Sequence, residues 1–195
     1  MRQRIAQQAA LLMAEHGIRD HTLAKRKAAR QLGLEDRQAL PDNDEIDAAL
    51  CQYNALFAPE SSAHELHQLR QAARAVMRQL ARFNPYLCGA LVSGAVTQHS
   101  AIELEIHADS SKALEQFLLN AGIPFDIDER PDASCYILAA EDAEVRIRVL
   151  PENARPSKRA GRKRLSLDQF EDQLAEAPAH PLFQGAADPT VSDAL

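Results

Sequence analysis

The sequence predicts an α+β protein: an N-terminal helical bundle followed by a mixed β-sheet domain with flanking helices. Three observations carry that reading. Apolar residues recur at helical spacing through the first 83 positions. The period then drops to two, with Ile102, Leu104 and Ile106 alternating against Glu103, Glu105 and His107. A later run repeats this, Val145, Ile147 and Val149 alternating with Arg146 and Arg148. Helices followed by a strand–helix–strand unit and extra strands give a second part in which helices pack on a sheet.

The elements follow in order. Ile5, Ala9, Leu12 and Met13 define a first helix that Gly17 stops. A second runs over residues 22–32, with Thr22 as N-cap and Gly33 as breaker. The run Pro41, Asp42, Asn43, Asp44 opens a third, whose stripe is Ile46, Ala49, Leu50, Tyr53 and Phe57. Pro59, Glu60, Ser61 and Ser62 read as its end, and a fourth helix as residues 63–83, closed by Asn84 and Pro85. Strands are expected over 86–92, 101–107, 123–128, 135–139 and 144–150. Ser110 caps a helix that ends at Gly122, and a short helix is expected over 166–175. The expected division is a helical domain at 1–83, an α/β domain at 84–152, a basic segment and short helix at 153–177 and a flexible tail at 178–195. No internal repeat is visible.

Composition removes several classes. The chain has 195 residues and 46% apolar residues, enough to bury a core without disulfides. Its three cysteines, Cys51, Cys88 and Cys135, lie far apart with no metal-ligand spacing, and read as reduced thiols of a cytoplasmic protein. No apolar run approaches the roughly 18 residues of a membrane span. Aromatics are only 5% and Trp is absent, which argues against a stacking platform for single-stranded nucleic acid. Net charge is −6, yet basic residues cluster locally. One cluster is Lys25, Arg26, Lys27 and Arg30; the other is Arg155, Lys158, Arg159, Arg162, Lys163 and Arg164.

Residues 89–106 carry the most chemistry. Transfer of a nucleotide needs a turn of small residues that lets phosphates approach backbone N–H groups. It also needs carboxylates on adjacent strands to hold divalent cations. Carboxylates two apart on a strand project from one face and suit the second need. Gly89, Gly94, Ser100, Ile102 and Glu103 stand at the positions where the DNA polymerase beta-like nucleotidyltransferase superfamily has its two glycines, Ser and S-D-x-D strand, and the chain resembles that superfamily there. It resembles more closely a group of uncharacterised bacterial nucleotidyltransferase-like proteins. That likeness rests on A-K-R-K-A-A-R-Q at 24–31, D-N-x-E-I at 42–46 and F-L-L-N-x-G-I at 117–123, and covers roughly residues 1–170.

The resemblance implies a nucleotide site at Gly89, Ala90, Ser93, Gly94 and Ser100, and residual catalytic carboxylates at Glu103 and Glu105. Several residues depart from the pattern. Ala90 replaces a phosphate-contacting Ser, Ala101 the first carboxylate, and Glu103 is longer than Asp. The strand that should bring a third carboxylate has Arg146 and Arg148, which would pair with Glu103 and Glu105. Residues 14–34 also resemble the first helices of tetracycline-repressor-like DNA-binding domains, but the segment that should read DNA, 34–45, is acidic.

The expected function is therefore a catalytically inactive module that binds a nucleotide, a nucleic acid or a protein. One alternative is a weakly active Mg²⁺-dependent nucleotidyltransferase. Another is a DNA-binding regulator using the N-terminal basic helix. No metal site is expected, Mg²⁺ belonging only to a residual active site; a homodimer is compatible with the sequence, and no membrane partner is. His64 and His67 lie three apart on a helix without the HExxH context, and read as surface. Ser93 and Ser100 have no evident His or Asp partner for nucleophilic work.

Overall fold

The computed structural model describes residues 1–34, 40–130, 133–139, 143–152 and 163–176. Helix α1, Arg2–His16, ends at Gly17, which takes the left-handed conformation at φ 64°. Helix α2, His21–Gln31, begins two residues earlier than Thr22 as cap would require. Asp20 caps it instead, its carboxylate accepting the Leu23 N–H at 2.9 Å. Helix α3, Asn43–Phe57, opens with a capping box: the Asp42 carboxylate accepts the Glu45 N–H at 2.8 Å and Glu45 accepts the Asp42 N–H at 2.7 Å. These helices share a core in which Ile5, Ala9, Leu12, Ala24, Ala28, Ile46 and Leu50 are buried. The alanines let the backbones come close.

The third helix ends at Phe57, just before residues 59–62 as expected, but those residues belong to the fourth helix, which therefore begins before residue 63. Helix α4 runs Pro59–Gln79, with Pro59 in its first turn. A proline there forfeits no hydrogen bond, because the first N–H groups of a helix have no partner within it. A single 3₁₀ turn, Ala81–Phe83, follows, and Asn84 adopts φ 48°.

The remaining elements are β1 Tyr86–Cys88, α5 Ala90–Ser93, β2 Ile102–His107, α6 Lys112–Asn120, β3 Phe125–Arg130, β4 Ala133–Ala139, β5 Glu144–Leu150 and α7 Leu167–Glu176. The strand expected over 86–92 stops at Cys88. Gly89 turns the chain with φ 73° and ψ −148°, and a short helix takes the apolar residues that followed. The five strands form one sheet in the order β1-β2-β5-β4-β3. Strand β2 is antiparallel to β1 and parallel to β5, and β4 is antiparallel to both β5 and β3. The protein is α+β, as the periodicities imply.

Alternation divides the sheet into two faces. Leu87, Ile102, Leu104, Ile106, Tyr136, Val145 and Ile147 are buried with Leu69, Ala73 and Met77 of α4, Leu114 and Leu118 of α6, and Phe170 of α7. The other face carries Glu103, Glu105, His107, Arg146 and Arg148, all half-buried. Beyond the basic segment the chain returns to the sheet edge. Leu165 donates to the Leu87 carbonyl at 3.0 Å and accepts from the Leu87 N–H at 2.8 Å.

Candidate functional site

The Gly89 turn and the charged face meet at Glu103. Cys88 pairs with Glu103 across the β1–β2 ladder, so the turn sits beside that carboxylate. A β-carbon on Gly89 would lie 2.9 Å from the Glu103 Cδ and Oε2. The backbone conformation and the close approach both demand glycine. Ser93 bonds locally, its hydroxyl donating to the Ala90 carbonyl at 3.3 Å. Gly94 ends the short helix at φ 80°. Ser100 clasps its own loop: its Oγ accepts the Thr97 N–H at 2.9 Å, and its N–H donates to the Thr97 carbonyl at 2.9 Å.

The segment between α5 and β2 is held by the N-terminal helices. Buried Asn54 donates through Nδ2 to the Val96 carbonyl at 2.7 Å. Ala95 joins the core of α1–α3, and the His99 ring lies against the α-carbon of Gly17. From the same linker as Gly17, Arg19 reaches Glu144 at the start of β5 at 2.9 Å.

Parallel pairing sets Glu103 beside Arg146 and Glu105 beside Arg148. Arg148 Nη2 lies 3.3 Å from Glu105 Oε1. Arg146 donates through Nε to Glu144 Oε1 at 2.6 Å, the oxygen that Arg19 also contacts. Burial alone would raise the Glu144 carboxyl, but the hydrogen bonds and charges of Arg146 and Arg19 outweigh it and hold it below the usual carboxylate range. At the edge of this face the Cys88 thiol is pushed up to about 12, first by burial and then by Glu105 and Glu103. It is inert as a nucleophile. Ala101, just before β2, is buried. Among the described residues, no group of three His, Cys, Asp or Glu converges to hold a metal ion.

The basic clusters are divided by the fold. Lys25 is a structural tie, its Nζ donating to the Pro41 carbonyl at 2.8 Å and to Asn43 Oδ1 at 3.1 Å. Arg26, Lys27 and Arg30 lie exposed along α2. Arg155, Lys158, Arg159 and Arg162 lie outside the described residues. Lys163 is exposed, and Arg164 is set apart from it by specific contacts. Its guanidinium lies 4.7 Å over the Tyr86 ring, and Nη1 is 3.3 Å from His107 Nε2. With Phe83, Asn84 and Glu152 these three residues line a cleft of about 460 Å³.

Sequence reasoning did not single out this cleft. The signal for His107 was present, since it continues the parity of Glu103 and Glu105. Tyr86 needed the cross-strand register, which is nonlocal.

No described helix is long and apolar enough to cross a membrane. No protein-family model matches the chain, and neither a curated protein nor a solved structure does. The class that fold and site define is an α+β protein with one helix-covered sheet face and one face of alternating carboxylates and guanidiniums.

Proposed function

We propose that the chain is a catalytically inactive nucleotidyltransferase-like module. It binds a phosphate-bearing partner, nucleotide or nucleic acid, on the charged face of its sheet. One observation carries this reading: the parallel pairing that aligns Arg146 with Glu103 and Arg148 with Glu105. The order of strand, Gly89 turn, short helix and carboxylate strand supports the likeness to the superfamily. Two-metal chemistry would need further oxygens where Ala101 and Arg146 stand. A guanidinium there repels Mg²⁺ and attracts phosphate. A cytoplasmic location belongs to the same proposal, supported by three cysteines that form no disulfide.

The test is calorimetric titration with ATP and with a short oligonucleotide, in Mg²⁺ and in EDTA. The module binds equally in both, and more weakly as salt rises. Combining Arg146→Gln with Arg148→Gln weakens ATP binding about tenfold or more, as loss of charge-assisted hydrogen bonds requires. Transfer of a nucleotide that needs Mg²⁺ sinks the reading. One feature favours residual transfer as a second reading, the Glu103 carboxylate held against the Gly89 turn. In that case Glu103→Gln abolishes transfer and leaves the fold intact.

A further inference from the structure

We infer that the cleft where Arg164 lies over the Tyr86 ring and is held against His107 binds the phosphate of a nucleoside monophosphate. This site lies at the opposite end of the charged face from Gly89, and the choice of a nucleotide rests on the function proposed above.

The placement of Arg164 begins in the backbone. Leu165 exchanges two hydrogen bonds with Leu87, which pins the preceding residue beside β1. The guanidinium then has two contacts, the Tyr86 ring at 4.7 Å and His107 Nε2 at 3.3 Å. Tyr86 is oriented in turn by His107, the two rings meeting edge-on with centroids 6.2 Å apart at 89°. Neither contact supplies a negative charge, and among the described residues Arg164 forms no ion pair. A guanidinium carries five N–H donors, and those not directed at His107 can serve an oxyanion. The group is also exposed, so a ligand can reach it.

The other walls narrow the ligand class. His107 accepts the Arg164 N–H through Nε2, so its proton lies on Nδ1 and it positions the guanidinium rather than donating to phosphate, while Asn84 carries an amide. Glu152 opposes a bare anion, but it can accept hydrogen bonds from sugar hydroxyls. Phe83 supplies an apolar wall for a base. A volume of about 460 Å³ falls within the roughly 300–1,000 Å³ of small-ligand sites. Phosphate on Arg164, which His107 positions, sugar on Glu152 and base on Phe83 together describe a nucleoside monophosphate better than inorganic phosphate or a nucleoside alone.

The experiment is calorimetric titration of the full chain with AMP, adenosine and inorganic phosphate. Arg164→Gln is expected to weaken AMP binding about tenfold or more, by loss of charge-assisted hydrogen bonds, with an unchanged circular dichroism spectrum. His107→Gln weakens it less, and Arg26→Gln on α2 leaves it unchanged. Adenosine and inorganic phosphate each bind more weakly than AMP. The inference is overturned if the wild type binds no AMP at millimolar concentration, or if Arg164→Gln binds it as well as the wild type. Should ATP binding still depend on Arg146 and Arg148 in either case, the function proposed above survives while the cleft does not. Should AMP binding depend on Arg164 while the Arg146 and Arg148 variants bind ATP normally, the cleft stands and the arginine ladder is not the ligand surface.

Discussion

The two faces of the sheet are built from the same strands and do opposite work. On one, Leu104, Ile147 and Tyr136 lie side by side in register under α4, α6 and α7, and each is almost wholly buried. On the other, Glu105, Arg148 and Cys135 lie side by side, each half-buried. The apolar face gains free energy from area removed from water, at roughly 25 cal/mol per Å². The charged face gains little, because a partly exposed ion pair contributes ~0.2–1 kcal/mol. Its residues are therefore expected to contribute little to the stability of the fold.

That contrast has a direct measure. Ile147→Ala is expected to cost about 2–5 kcal/mol, as a large-to-small change at a fully buried site does. Arg148→Gln, one position along and on the other face, should cost no more than ~1 kcal/mol. Both are read from urea unfolding. The contrast breaks if the two costs are comparable, which would make the Glu105–Arg148 pair part of the structural core.

Gly89 sharpens the comparison, because it belongs to the charged face yet carries a structural demand. Gly89→Ala places a β-carbon 2.9 Å from the Glu103 carboxylate on a backbone at φ 73°. Strain of this kind costs about 1–3 kcal/mol. Adding Glu103→Ser to Gly89→Ala relieves the side-chain contact and leaves the backbone strain. Recovery of only part of the lost stability in the double variant is the expected outcome. Full recovery would mean that the turn tolerates a side chain and that glycine is there only to admit Glu103.

What was legible in the sequence follows how local each signal is. Alternation along residues 102–107 and 144–150 is carried by neighbours two apart, and β2 and β5 fall where it places them. The stop at Gly17 is equally local. Pro59 marks the end of α3, but it also occupies the first turn of α4, and a proline read only as a breaker hides that second role. The apolar run after Tyr86 fits strand or helix alike, and only the conformation of Gly89 divides it. The pairing of Glu105 with Arg148 could be anticipated from chemistry, and the parallel register supplies it. The contact of Arg164 with Tyr86 and His107 joins residues far apart in the chain through the return of Leu165 to β1, and no local pattern encodes that.

The smallest effect expected is an acid-dependent one at the rim of the apolar face, and it tests whether charges there behave like those on the other side. Glu171 of α7 accepts hydrogen bonds from Arg74 at 3.1 Å and Arg78 at 2.7 Å, both on α4. The bond from Arg74, with help from Arg78, holds its carboxyl below the ordinary 4.5. A carboxylate whose folded value is depressed stabilises the fold above its unfolded value, and that contribution disappears as pH falls through the folded value. Glu171→Gln should therefore be slightly less stable than the wild type at neutral pH. The difference should shrink to nothing as the pH drops through the range below 4.5. These three side chains remain open to solvent on one side, so added salt should reduce the difference as well. A gap between the two unfolding curves that persists at low pH would mean that Glu171 holds α7 through the packing of its side chain and not through its charge.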